Sequence, residues 1–237
     1  MRAVVSLLPL MFVALLLGYS SAVYAEETAP EADVLEETFN IEASAARMQA
    51  STKAETAREV VEIATEEVLA LIKSAQGYAE EDPDRFYREA ELLMRSVVDF
   101  RRFARAVMGP WYKKATPEQR ERFAESFKWT LVRTYALALT EFRDGKVEIL
   151  DNKRPSTKPD QATVRQQITY RDKPYSVVYA MLRRNGEWGL ANVVIEGLNV
   201  RLNYRSQFNS AMKDKRYGRD IDQVITAWSN VITAENE

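Results

Sequence analysis

The sequence predicts an α+β fold: helices packed on one face of a curved antiparallel four-stranded sheet. Three observations carry that prediction. From Ala54 to Arg143 apolar residues recur every three or four positions, the spacing of one helical face. From Lys146 to Glu196 the pattern changes to short β-rich runs punctuated by turn residues, and after Gly197 helical spacing returns. Helices, then a meander of strands, then helices is the order of a layered α+β domain.

Residues 1–25 read as a signal peptide. Arg2 precedes an apolar core from Val4 to Leu17, and Val23-Tyr24-Ala25 supplies the small-residue pattern for cleavage after Ala25. The competing reading is a membrane anchor, but Gly18, Ser20 and Ser21 cut the apolar run short of the roughly 20 residues that a span needs. The chain has no cysteine, which excludes an acylated lipoprotein and disulfides, so stability must come from a packed core. Residues 26–53, acidic at the start, are expected to be a loosely ordered leader, disordered or loosely helical. Its apolar residues Val34, Leu35, Phe39 and Ile41 have the spacing of one short amphipathic helix that could dock on the domain.

Residues 54–234 are the expected domain. A first helix carries Val60, Ile63, Ala64 and Leu71 on one stripe and stops near Gly77. A second follows Asp82-Pro83, cap then first-turn proline, with Phe86, Ala90 and Leu93 inward. Asp99 is placed to cap a third, whose apolar side is Phe100, Phe103, Ala104 and Val107, ended by Gly109-Pro110. The fourth opens with the capping box Thr116 to Gln119 and repeats Phe123, Phe127, Leu131, Tyr135, Leu139 and Phe142 on one aromatic face. Strands are expected at KVEIL, ATVRQQITY, YSVVYAMLR and EWGLANVVIE, with Asn185-Gly186 as a two-residue hairpin. In the second, Val164, Ile168 and Tyr170 share a face opposite Arg165, Gln167 and Thr169. Two helical segments close the chain, the last from Asp220 through Trp228 to Ile232.

Chemistry is sparse. There is no histidine, which removes Ser-His-Asp and Cys-His catalysis and most zinc sites. Removal of the signal's single arginine moves the formal charge from −2 to −3, and the bases alternate with acids, so nucleic acid is not an expected partner. Asp99, Glu187 and Glu196 are the carboxylates beside apolar runs, but Asp99 reads as a cap and Glu196 as an ordinary strand end. No catalytic residue, metal site or cofactor is expected. Apolar surface is in surplus, and Ala180, Gly189 and Ala191 are small enough to leave room over a sheet.

The segment WGLANVVIEGLNVRLNYRSQF resembles the strand-to-helix signature of the MlaC (toluene-tolerance) family of periplasmic phospholipid-binding proteins. Asp99-Phe100 with Ala104, Gly109 and Trp111, and Gln119, Phe123, Phe127, Leu131 and Tyr135, extend the resemblance over most of residues 54–228. Asn192 stands where an Asp is usual, and Asn199 where a Ser is usual; both keep hydrogen-bonding capacity.

The resemblance implies an NTF2-like fold enclosing an apolar cavity for the acyl chains of a diacyl glycerophospholipid. It implies a non-enzymatic periplasmic carrier, a monomer that docks transiently on an inner-membrane lipid transporter complex and an outer-membrane lipoprotein/porin complex, and so maintains outer-membrane lipid asymmetry. The alternative is an adaptor domain of the same fold with a filled cavity. The expected lipid-binding residues are Phe103, Val107, Trp111, Phe127, Leu131, Tyr135, Val164, Ile168, Tyr179, Ala191, Val193, Leu202, Tyr204 and Phe208. Arg201 and Arg205 are expected at the rim, facing a headgroup phosphate or a partner's carboxylate. For Arg205 a salt bridge to Asp99 is the competing reading.

Overall fold

The computed structural model describes residues 39–140, 145–152 and 156–234, without side chains at 137–139 and 230–234. The expected signal peptide and most of the acidic leader therefore lie outside the described residues, as do Phe142 and the side chains of Leu139 and Ile232.

Among the described residues seven α-helices and five strands follow one another as α1 (Ile41–Ser51), α2 (Ala57–Ala75), α3 (Pro83–Val97), α4 (Phe100–Met108), α5 (Pro117–Thr140), β1 (Lys146–Leu150), β2 (Gln161–Tyr170), β3 (Lys173–Arg184), β4 (Glu187–Ile195), β5 (Leu198–Asn199), α6 (Val200–Lys213) and α7 (Ile221–Ala234). Local chemistry fixes most helix starts. Asp82 accepts a hydrogen bond from Arg85 N at 3.0 Å, and Asp99 accepts one from Arg102 N at 2.9 Å. At α5 the capping box closes in both directions, Thr116 N to Gln119 Oε1 at 2.9 Å and Gln119 N to Thr116 Oγ1 at 3.2 Å.

The sheet is an antiparallel meander in the order β1-β2-β3-β4-β5. Arg171-Asp172, Asn185-Gly186 and Glu196-Gly197 join successive strands, and all six residues have positive φ. That is the backbone of two-residue turns whose twist matches the flanking strands. The fifth strand is an addition to the four expected. Glu196-Gly197 folds the chain back for two residues of pairing before α6 begins, too short a run to show periodicity.

One face of the sheet, bearing Val164, Gln166, Ile168, Tyr179 and Met181, is covered by α2, while α6 packs against β4. Two apolar cores result. The larger is helical and aromatic: Phe123 meets Phe208 edge-on at 4.7 Å, Phe127 meets Tyr204 edge-on at 5.2 Å, and Trp228 joins both phenylalanines. The smaller is aliphatic and lies under α2, around Val60, Val61, Val164, Met181 and Trp188.

Residues 41–51, within the stretch expected to be a loose leader, form α1, which packs on α2 and α3. Phe39 and Ile41 lie against the helical core, as the docking alternative expected of them, while Val34 and Leu35 lie outside the described residues. Arg47 reaches α2, bonding Glu66 at 2.6 Å and the buried Glu67. Alanines and serines let this helix approach closely, and Met48, 1% exposed, is the large side chain it inserts. A stripe of small residues gives little periodic signal.

The two asparagines at the family signature cap the same helix. Asn199 accepts from Leu202 N at 3.0 Å, and buried Asn192 accepts from Arg201 N at 3.2 Å. An Asp and a Ser offer the same acceptors, so the departures preserve the contacts. Asn192→Ala should cost about 1–2 kcal/mol, because a helix-start N–H loses its partner inside the protein. Asn192→Asp should retain most of that stability, and urea denaturation of both variants checks the contrast.

Candidate functional site: an apolar pocket beneath the first long helix

A pocket of about 220 Å³ opens between α2 and the sheet, floored by α3 and bordered by Met48 of α1. Helix α2 contributes Val60, Val61, Ala64, Thr65, Val68, Leu69 and Ile72, all on the side that faces β2. The strands contribute Val147, Ile168, Tyr179, Met181 and Leu190, and the end of α3 contributes Met94 and Val97, with Val98 just beyond it. Three of the lining side chains are methionines, Met48, Met94 and Met181, which are unbranched and readily change shape around a guest.

The few polar atoms in this wall bond to one another. Tyr179 OH donates to Gln166 Oε1 at 2.7 Å, Gln166 Nε2 donates to Thr65 Oγ1 at 2.8 Å, and Thr65 donates to the carbonyl of Val61 at 2.7 Å. Gln166 is 3% exposed, so this chain satisfies groups that would otherwise be costly to bury. Burial also pushes the Tyr179 phenol well above its ordinary value, keeping it neutral. The remaining surface is hydrocarbon. Such a wall is chemically suited to aliphatic chains, and its phenol, amide and hydroxyl are engaged with one another.

Of the expected lipid contacts, Ile168 and Tyr179 line this pocket, and Val164 lies in the aliphatic core next to it. Phe103, Val107, Phe127, Leu131, Tyr204 and Phe208 are instead packed in the helical core, with Tyr135 and Val193 against it. Trp111 is half-buried and donates from Nε1 to Asn209 at 3.3 Å. The expectation that Leu202 points inward does not hold, since it is 53% exposed. The reason is a change of period: helix α6 already runs from Val200, so Val200, Tyr204, Phe208 and Met212 share its buried face and Leu202 falls outside it.

Ala191, Leu202, Arg201 and Arg205 line a second, polar groove, together with Phe103. Met181 lines the pocket and Leu182 the groove, and neighbouring strand residues point to opposite faces, so the two concavities lie on opposite sides of β3. Arg205 does not pair with Asp99. Asp99 binds Arg102 at 3.2 Å.

The carboxylates considered for catalysis hold structural positions. Asp99 caps α4, Glu187 lies 3.9 Å from Lys53, and Glu196 accepts from the backbone of Ser176. Among the described residues no group of three or more acidic or metal-ligating side chains could hold a metal ion, and no helix is long and apolar enough to cross a membrane.

Residues 62–230 match the family model of the MlaC protein. This chain belongs to the MlaC family. Over 181 residues it is 32% identical to toluene tolerance protein ttg2D of Pseudomonas putida, covering 76% of this chain and 82% of that one. Its fold also matches a phospholipid-binding protein from Ralstonia solanacearum, solved in complex with a phospholipid. That match has a TM-score of 0.69 at 23% identity and covers 76% of this chain and 99% of the other. The MlaC match begins inside α2, at Glu62, and so takes in most of the helix that roofs the pocket. Sequence reasoning missed α2 as a pocket wall. The available signal was compositional: from Ala57 to Ala75 the helix has a broad apolar stripe and no aromatic residue.

Proposed function

We propose that this chain is a soluble, non-enzymatic periplasmic carrier that holds phospholipid acyl chains in the pocket beneath α2. It would shuttle lipid between an inner-membrane transporter complex and an outer-membrane lipoprotein/porin complex, and so maintain outer-membrane lipid asymmetry. The observation that carries the reading is the largely hydrocarbon wall, its few polar groups bonded to one another, between α2 and the sheet in a chain of the MlaC family. The Ralstonia solanacearum protein of the same fold was solved with a phospholipid bound, which supports placing the same class of ligand here.

Energetics suit a carrier. Burying a palmitoyl chain of ~15 carbons at ~0.8 kcal/mol each is worth on the order of 12 kcal/mol relative to water. A bilayer offers a similar gain, so transfer between protein and membrane is nearly balanced while escape into water is prohibitive. No catalytic group is needed. The pocket of about 220 Å³ lies below the ~300–1,000 Å³ usual for ligand sites, so loading requires α2 and the methionine-rich wall to move apart.

Native mass spectrometry of protein purified without detergent tests the reading. Adducts at phospholipid masses are expected, and their stoichiometry gives the number of acyl chains held. An apo mass under conditions that preserve lipid complexes of comparable proteins would overturn it in favour of a protein-binding adaptor.

A further inference from the structure

We propose that the groove between α4 and α6 is a docking site for an acidic, carboxylate-bearing segment of a partner protein. The groove is a concavity of about 860 Å³, and its lining contains seven cations and one carboxylate. That carboxylate, Asp99, is already engaged with Arg102. The imbalance is local, because the whole chain carries a formal charge of −2. Concentrating like charge here raises the energy of the free protein, and a groove focuses the resulting field.

Besides Arg102, two of these cations have partners: Arg105 lies over the Tyr112 ring at 5.2 Å, and Arg101 has a carboxylate, Glu121 at 2.7 Å. Among the described residues none forms an ion pair with Lys113, Arg184, Arg201 or Arg205. Arg201 and Arg205 stand one turn apart on α6, facing the similarly spaced Arg101 and Arg105 of the adjoining α4. The Arg201 and Arg205 forks, without carboxylate partners of their own among the described residues, suit the carboxylates of a guest, each of which can accept two parallel N–H bonds.

Two further features mark the groove as prepared for a guest. Gly109, at φ +55°, lies directly under the Arg205 side chain: a Cβ there would meet Nε at 2.9 Å. Both the backbone conformation and the close approach of the Arg205 side chain call for glycine. Leu202 is the one large hydrophobic side chain exposed among the described residues, and it lies in the groove lining between Arg201 and Arg205. An apolar anchor inside a charged rim is the arrangement of a protein interface. Concavity favours a peptide segment over a bilayer, whose surface would touch only the rim.

Because the groove and the lipid pocket occupy opposite sides of β3, a docked partner leaves the pocket unblocked, and Leu190 lines both. That the partner is a lipid-handling membrane complex rests on the carrier reading. The preference for an acidic segment rests on the groove alone.

The test uses the full mature chain and a fluorescein-labelled Asp/Glu-rich peptide with one central leucine, followed by anisotropy at low and physiological salt. Binding should be salt-sensitive and weakened about tenfold or more in Arg201→Glu/Arg205→Glu, with lipid content and Tm unchanged. Arg184→Glu, on the exposed end of β3, should weaken it as well and serves if the double variant unfolds. No binding by the wild type, or equal binding by the folded variants, would overturn the proposal. So would a wild-type preference for phosphatidylglycerol vesicles that the same substitutions abolish, which would assign the groove to a membrane surface. Lipid content, read separately, decides the carrier proposal whichever way the peptide result falls.

Discussion

Ala64→Trp is expected to empty the protein of lipid while leaving it folded. Ala64 sits on the pocket-facing side of α2, and an indole there would fill much of a space of about 220 Å³. The substitution places a large apolar group where an acyl chain would lie, so the hydrocarbon wall is satisfied by the protein itself. Overpacking should cost about 1–3 kcal/mol, partly offset by the apolar surface the indole covers. Native mass spectrometry should show phospholipid adducts reduced about tenfold or more, since losing even two methylene contacts at ~0.8 kcal/mol each shifts occupancy by that order. Retained thermal unfolding would show that the loss is not a folding defect. Unchanged lipid content in the folded variant would place the acyl chains elsewhere than under α2.

How much of this was legible depends on the range over which each signal acts. The capping box at Thr116 and Gln119, the proline after Asp82 and the Asn185-Gly186 turn are local chemistry, and the elements they delimit were readable directly. The faces of β2 followed from alternation: Val164 and Gln166 are buried, while Thr163 and Arg165 are exposed. The site was harder, because periodicity tells which side of a helix is buried and not what buries it. Helix α5 announces itself with one large aromatic per turn, yet Phe123 and Phe127 fill their space with Phe208, Tyr204 and Trp228. Helix α2 has a plainer stripe, and its partner across the gap is a strand surface distant in sequence. Only the three-dimensional pairing of α2 with β2 and β3 reveals that aliphatic side chains meet there without closing the space. At Leu202 a two-residue period was carried past the point where the chain had already become helical.

Phe127→Ala should have the opposite signature to Ala64→Trp. Phe127 is 0% exposed and lies within 5.7 Å of the Phe103 and Phe123 rings, stacked on both, with Tyr204 edge-on at 5.2 Å. Truncation leaves a cavity that three helices cannot close without unstacking those rings, so the expected cost is about 3–5 kcal/mol. For a domain of this size that corresponds to a fall in Tm of roughly 10 °C. Lipid carried per folded molecule should stay unchanged, because the lost ring belongs to the helical core and not to the wall beneath α2. Scanning calorimetry gives the first quantity, and native mass spectrometry at a temperature well below the lowered Tm gives the second. Were Phe127→Ala to shed lipid with little loss of stability, the aromatic face would be the lipid contact and the dense packing around Phe127 would describe an unloaded state. A large fall in Tm with lipid retained, beside the reverse in Ala64→Trp, would separate the core that holds the fold from the pocket proposed to hold lipid.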